Sequence, residues 1–409
     1  MILPYFESLA SGIESKLAAL APDEPVARKR FALEIARLGV RLFSGRERLA
    51  WCGVLAPFDL LHGLGVTSCF TEFVGAMLAS TGGVEPMLEA AEGRGYSTDC
   101  CGYHRAVTGA MLQELMPRPD FLIATTAPCS GGLALNESLA RHFARDLFVI
   151  DVPNRGPDES SVAYLADQLR AMTRFVEEHT GEPADPGRIG AAIERSNQAR
   201  ELLLEVYGLA RARPSPARRR DLFNFGLVVS LLLGSQSAVE VARTYRDEFR
   251  RRVEAGVGGA PGERVRLMWL QNRIQFRSPL EEALEGLGAA VVVDELNAVT
   301  WDAVDPADPY PGLARRILTV PLVGAVDRRI ALLRRLARDY QVDGAINPCH
   351  WGCRQGSGAR GLIEAGLRQA GVPVLNLEVD CIDPRNFAPG QLATRLEAFL
   401  ELIRARAGG

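Results

Sequence analysis

Lysine is almost missing from this 409-residue chain: of its 47 basic residues, only Lys16 and Lys29 are lysines. Genome base composition explains such a bias, and it argues against Schiff-base catalysis, which needs a lysine amine. The net charge of −3 supplies no bulk attraction to nucleic acid or to an anionic membrane. No apolar run approaches the about 20 residues that cross a bilayer. The opening Met1-Ile2-Leu3-Pro4-Tyr5 lacks the basic start and apolar core of a signal peptide, so a cytoplasmic protein is expected. There is no GxxxxGK[ST] loop, which assigns any nucleotide hydrolysis to a partner. No CxxC pair, ferredoxin spacing or tandem short repeat occurs either. What remains, 47% hydrophobic and 24% charged residues, is the composition of a soluble globular protein long enough for two or three domains.

The pattern changes along the chain. Residues 1–47 read as amphipathic helix, with Leu17, Leu20, Phe31, Leu33, Ile35 and Leu38 among charges. Short apolar runs then alternate with helical stretches: Leu49–Leu55, Val66–Phe70, Phe121–Thr125 and Leu147–Ile150. Buried strands alternating with helices predict a parallel sheet covered on both faces, a first α/β domain over 48–157. Strand signals are scarce over 158–255, which reads as a helical middle region. There Arg218-Arg219-Arg220 fits a solvated helix start better than a phosphate site. Gly256–Gly262 is a linker. A second α/β domain, 263–409, has strands expected at Val265–Leu270, Ala290–Val293, Val342–Ile346 and Val372–Leu377. Its helices are expected near 279–287, 327–340, 357–370 and 390–405.

The eight cysteines do not suit a disulfide framework in a reducing compartment, which moves the reading toward metal or redox chemistry. Three have distinctive surroundings: Cys101 in Cys100-Cys101-Gly102-Tyr103-His104-Arg105, Cys129 in Thr126-Ala127-Pro128-Cys129, and Cys353 in His350-Trp351-Gly352-Cys353-Arg354-Gln355. Each lies beyond a strand end, where an open α/β sheet presents ligand-binding groups. Three thiolates meeting from two halves of a chain can hold an iron–sulfur cluster and leave one iron without a protein ligand. Zinc is a rival, although its structural sites usually pair close ligands. Cys52, Cys69 and Cys381 read as small buried hydrophobes. Neighbours point apart, so one of Cys100 and Cys101 ligates, and Gly352 makes the Cys349–Cys353 stretch a loop. His350 and Trp351 are candidates to shield a cluster and hydrogen-bond its sulfurs. Arg354 is a candidate for cluster charge or a substrate phosphate.

From Asp343 onward the chain resembles the 2-hydroxyacyl-CoA dehydratase family (2-hydroxyglutaryl-CoA dehydratase component D), which includes benzoyl-CoA reductase subunits. The resemblance is carried by Asp343-Gly344, His350-Trp351-Gly352-Cys353-Arg354-Gln355, Gly371–Leu375, Asp383–Gln391 and Thr394–Leu400. Gly95–Arg105 is similar to the family's first cluster-cysteine segment, and Pro119–Cys129 to its second. That likeness selects Cys101 over Cys100 and Cys353 over Cys349. Pro57-Phe58-Asp59-Leu60 is similar to a family stretch that carries glutamate where this chain has Asp59, shorter by one methylene. The likeness makes Asp59 the candidate catalytic residue, for substrate contact or acid–base work; a helix-start residue without chemistry is the competing reading.

The resemblance implies two Rossmann- or flavodoxin-like domains with one [4Fe–4S] cluster held between them. It also implies a related second subunit and an ATP-hydrolysing iron–sulfur activator that delivers single electrons. In an (R)-2-hydroxyacyl-CoA the β-proton gains no acidity from the carbonyl. One added electron makes a ketyl radical anion that expels the α-hydroxyl and acidifies that proton, and the electron is then returned. An open iron would serve as a Lewis acid toward substrate oxygen. The alternatives are a benzoyl-CoA reductase-type subunit acting on an aryl-CoA, and a double-cubane [8Fe–9S] reductase with Cys100, Cys349 and Cys381 as a second trio. From a different class stands a two-domain small-ligand binding protein whose cysteines are all structural.

Overall fold

The computed structural model describes residues 2–21, 24–222 and 231–407; positions 223–230 of the expected helical middle lie outside them. Helices α1 (Ile2–Ala18) and α2 (Ala27–Ser44) open the chain and pack together. The first sheet region runs β1 (Leu49–Cys52), α3 (Phe58–Gly63), β2 (Thr67–Phe70), α4 (Glu72–Thr81), α5 (Glu85–Glu92), α6 (Gly102–Leu112), β3 (Phe121–Thr125), α7 (Ser130–Phe143) and β4 (Leu147–Ile150). The middle contributes α8 (Glu159–Thr180), α9 (Pro186–Leu209) and α10 (Gln236–Glu254). The second sheet region runs β5 (Val265–Trp269), α11 (Leu280–Gly286), β6 (Ala289–Asp294), α12 (Pro309–Thr319) and α13 (Val326–Asp339). It continues through β7 (Gly344–His350), α14 (Arg354–Ser357), α15 (Arg360–Gln369), β8 (Val374–Val379) and α16 (Pro389–Ala407).

The α/β expectation holds. Both sheets are four-stranded and parallel, ordered β2-β1-β3-β4 and β6-β5-β7-β8. Counted within each half, both orders are second-first-third-fourth, so the two halves share one topology. Every residue of β1, β3, β5, β6 and β7 is buried, because helices cover both faces of a parallel sheet. Strand order reverses between β1 and β3 and again between β5 and β7. That places a crevice beyond the carboxyl ends of those strands in each half.

The helical middle ties the ends together. Its boundaries follow local chemistry: Asp158 accepts from the Ser161 amide and Ser235 from the Ala238 amide, each capping the helix that follows. Glu248 on α10 reaches the amides of Val26 and Ala27, both at 3.0 Å, and so caps α2 from a distant part of the chain.

Two expectations need correction. The solvated helix start expected at Arg218–Arg220 holds for the exposed Arg218 but not for Arg219, whose side chain is only 9% exposed, its guanidinium 5.5 Å from the Trp269 ring centroid and 3.3 Å from Glu281. The surrounding core and the Glu281 carboxylate, rather than water, receive that charge. Helix α12 is an element the sequence pattern does not announce, because three prolines in Asp305–Pro311 read as loop. Pro309 occupies the helix start, where a missing amide hydrogen costs nothing. The helix packs on α8, and Leu313, Ala314, Ile317 and Leu318 join Leu60, Leu61, Val162 and Leu165 in one core.

Candidate functional site

Each of the three singled-out cysteines is the N-cap of a helix. Cys129 lies just beyond β3 and Cys353 just beyond β7, the third strand of each sheet. The Cys129 sulfur accepts the Gly132 amide at 3.4 Å, and the Cys353 sulfur accepts the Gly356 amide at 3.3 Å. The spacing Cys-x-x-Gly is the same in both. The two thiols are therefore topological counterparts in the two halves. Cys101, expected beyond a strand end, instead follows α4 and α5 and precedes α6, between the second and third strands of the first half, and has no such counterpart. An N-cap suits a thiolate because unpaired helix amides favour negative charge there.

The first half meets the second at these residues. Gly352 has φ +72°, and a Cβ there would overlap the Cys101 nitrogen, so only glycine fits. Cys353 is within electrostatic reach of both Cys101 and Cys129. Burial pushes the Cys101 and Cys353 thiols up. Burial also opposes ionisation of Cys129, but hydrogen bonds from His104 and the Gly132 amide outweigh it and bring that thiol below its ordinary value. His104 in turn is raised to about 9: burial works against its charge, and Cys129 and Glu72 together prevail. Among the described residues no group of three or more His, Cys, Asp and Glu side chains is placed to hold a single metal ion. A cubane spreads its cysteine ligands wider than one ion does, and the chemistry of the donor set, three thiols at helix N-termini beside a domain junction, fits such a group.

Buried polar groups lock the junction. Arg105, four residues after Cys101 and wholly buried, donates to the Cys100 carbonyl at 3.1 Å, to Asp380 at 3.0 Å and to Asp383 at 3.3 Å, and pairs with Glu92. Arg385 binds Asp383 and Glu92 from the other side. His350, at the end of β7, brings its Nε2 to 3.3 Å from the Cys101 sulfur, while its Nδ1 accepts the Cys381 amide at 2.9 Å. Burial, then the charges of His104 and Arg105, depress this imidazole to about 3. Asn272 approaches the Cys353 sulfur at 3.7 Å.

A model of the family described as 2-hydroxyglutaryl-CoA dehydratase, D-component, matches residues 54–403. The chain belongs to this family. The (R)-phenyllactyl-CoA dehydratase alpha subunit of Clostridium sporogenes is 25% identical over 376 residues, covering 88% of this chain and 90% of that protein. Lactoyl-CoA dehydratase subunit alpha of Anaerotignum propionicum is 24% identical over 391 residues, with 88% and 91% covered. A benzoyl-CoA reductase subunit of Thauera aromatica is 25% identical over 383 residues, with 86% of each covered. No helix among the described residues of this dehydratase-family chain is long and apolar enough to cross a membrane.

The remaining candidates fall into place around this centre. Cys100 is exposed, whereas Cys349 is buried in β7 with its sulfur on the Asn347 carbonyl and the Asn376 side chain. Cys52, Cys69 and Cys381 are wholly buried. Trp351 is 38% exposed and Arg354 is exposed, both at the rim next to Cys353. Asp59, in the first turn of α3, is buried and gripped at both oxygens by Arg316 of α12, at 2.6 and 2.7 Å. Burial disfavours its charge, yet Arg316 outweighs that and holds the carboxyl below its ordinary range. Sequence reasoning passes over His104, Glu72, Asn272 and Asp380, whose roles depend on contacts between distant segments. The Cys-x-x-Gly repeat after the third strands is the one signal in plain view.

Proposed function

We propose that this chain is the iron–sulfur subunit of a 2-hydroxyacyl-CoA dehydratase, with Cys101, Cys129 and Cys353 holding one [4Fe–4S] cluster between its domains. The observations that support the reading are the close contact of Gly352, next to Cys353, with the Cys101 backbone, and three N-capping thiols of which Cys353 lies within electrostatic reach of the other two, inside a family whose named relatives include acyl-CoA dehydratase subunits. When bound, the cluster would supply single-electron transfer and an iron open to substrate oxygen.

The chain's own residues do the rest. Amides of Gly132 and Gly356 and the side chain of Asn272 stabilise thiolate charge. The Arg105 lock keeps Cys101 against the second half. Asp59 serves in this reading as an anchor joining α3 to α12, since Arg316 occupies both of its oxygens. The substrate is an (R)-2-hydroxyacyl-CoA, and the partners are a related second subunit and an ATP-hydrolysing activator. Relatives named as alpha subunits support the second subunit. Similarity to a benzoyl-CoA reductase subunit favours a second reading, ATP-dependent aryl-CoA reduction at the same centre.

Anaerobic purification tests the cofactor: about four iron and four sulfide per chain are expected for one Cys-ligated cubane, and about eight iron would favour a double cubane. Assay with activator, ATP, reductant and a panel of 2-hydroxyacyl- and aryl-CoA thioesters tests the activity. An iron-free, inactive protein refutes the proposal.

A further inference from the structure

The imidazole of His350 has two defined hydrogen-bond neighbours and no contact with solvent. The Cys381 amide, at 2.9 Å, can only donate, and the Asp380 oxygen stands off at 3.6 Å, beyond hydrogen-bond distance, so Nδ1 accepts and carries no proton. The single N–H of the ring is therefore on Nε2, which faces the Cys101 sulfur at 3.3 Å. This tautomer is held from outside the ring. Asp380, next to Cys381, accepts the amides of Ile382 and Asp383 on one oxygen and Arg105 on the other. Arg105 also donates to the Cys100 carbonyl, closing a ring of contacts that begins and ends at the Cys100–Cys101 segment. The Tyr103 ring meets the imidazole edge-on at 5.4 Å and fixes its plane.

We propose that His350 tunes the reduction potential of the cluster by donating its Nε2 proton in a hydrogen bond to the Cys101 sulfur across the domain junction. The proposal rests on the cluster reading above. Reduction adds negative charge to a cluster and its sulfurs, and a fixed donor stabilises the reduced form more than the oxidised one. Cys129 and Cys353 receive backbone amides and, in addition, side-chain donors from their own half, His104 and Asn272. At Cys101 the donor is a side chain from the other half of the molecule. His350 is thus a positioning and tuning residue, distinct from the ligands.

The test uses the cluster-containing protein, with iron content measured first and the potential followed by EPR during reductive titration. His350→Leu removes the donor and is expected to shift the equilibrium about tenfold toward the oxidised form, which is about 59 mV lower for a one-electron couple. His350→Gln restores an N–H near the Nε2 position and should stay within about threefold of wild type. A His350→Leu protein with full iron and the wild-type potential overturns the proposal. If that variant does not load or fold, the wild type decides. With 15N-labelled histidine, pulsed EPR of the reduced protein should show a nitrogen coupling that His350→Gln loses; its absence overturns the proposal equally. Wild-type protein without iron would instead bring down the cluster reading and this inference with it.

Discussion

Replacing Arg105 by alanine removes one cation from among three carboxylates, two of them fully enclosed. The side chains of Arg105 and Asp380 are 0% exposed and that of Asp383 is 1%. Breaking a buried ion pair by deleting one partner costs about 3–5 kcal/mol, because the survivor keeps its charge without compensation. Here the lower end applies. Asp383 and Glu92 keep Arg385, at 2.7 and 2.6 Å, so the loss falls mainly on Asp380, which is left with the amides of Ile382 and Asp383 as donors. About 3 kcal/mol is a large part of the about 5–15 kcal/mol that holds a typical domain together. Arg105→Lys should recover only part of it, since an ammonium cannot bridge several carboxylates as a planar fork does. Denaturant unfolding followed by tryptophan fluorescence would show a lower midpoint at unchanged slope, and anaerobically purified Arg105→Ala should carry less iron. An alanine variant within about 1 kcal/mol of wild type and with full iron would refute the argument that this lock aligns Cys101 with the second half.

Three further outcomes follow from the same geometry. Gly352→Ala should lose iron and stability together, because the new Cβ would overlap the Cys101 nitrogen and φ is +72°, while Gly361→Ala, with nothing within 4 Å in helix α15, should be neutral or stabilising by up to about 1 kcal/mol. Asp59→Asn should destabilise by about 3 kcal/mol near neutral pH. Because the folded carboxyl is depressed, that contribution is complete above the ordinary value of 3.8 and disappears as pH falls through the folded value, so wild type and variant should converge in acid-unfolding curves. Cys101→Ala, Cys129→Ala and Cys353→Ala should each lose most of their iron by metal analysis, whereas Cys52→Ala, in the interior of the first sheet, should keep it.

Much of the fold is legible because buried parallel strands carry their signal in consecutive residues. All eight strands of the described residues overlap the apolar runs read from the sequence, from Leu49–Cys52 to Val374–Val379. Helix α12 is hidden by prolines that serve as its start, and Arg219 by a charge run whose burial is decided by Trp269 and Glu281 far along the chain. At the site, the cysteines announce themselves through their neighbours. The groups that hold them do not: Arg105 meets Asp380 across 275 positions, and Cys101 meets His350 across 249. Pairing at such separations leaves no local pattern.

The repeated topology also explains why the proposed centre has three cysteines rather than four. Each half delivers one thiol after its third strand, Cys129 and Cys353, through the same amide-capped turn. The first half delivers another from its connection between strands two and three, where α4 to α6 stay beside their own sheet and Cys101 caps the last of them. The equivalent connection in the second half, from Glu295 to Asp343, contains no cysteine, and its helix α12 packs instead on α8 of the middle region. There it anchors Asp59 of the first half through Arg316. The segment that symmetry would assign to a fourth ligand has been used to join the domains. On the proposed reading, the iron left open to substrate and the Arg316–Asp59 tie between the two halves are two results of that one departure from symmetry.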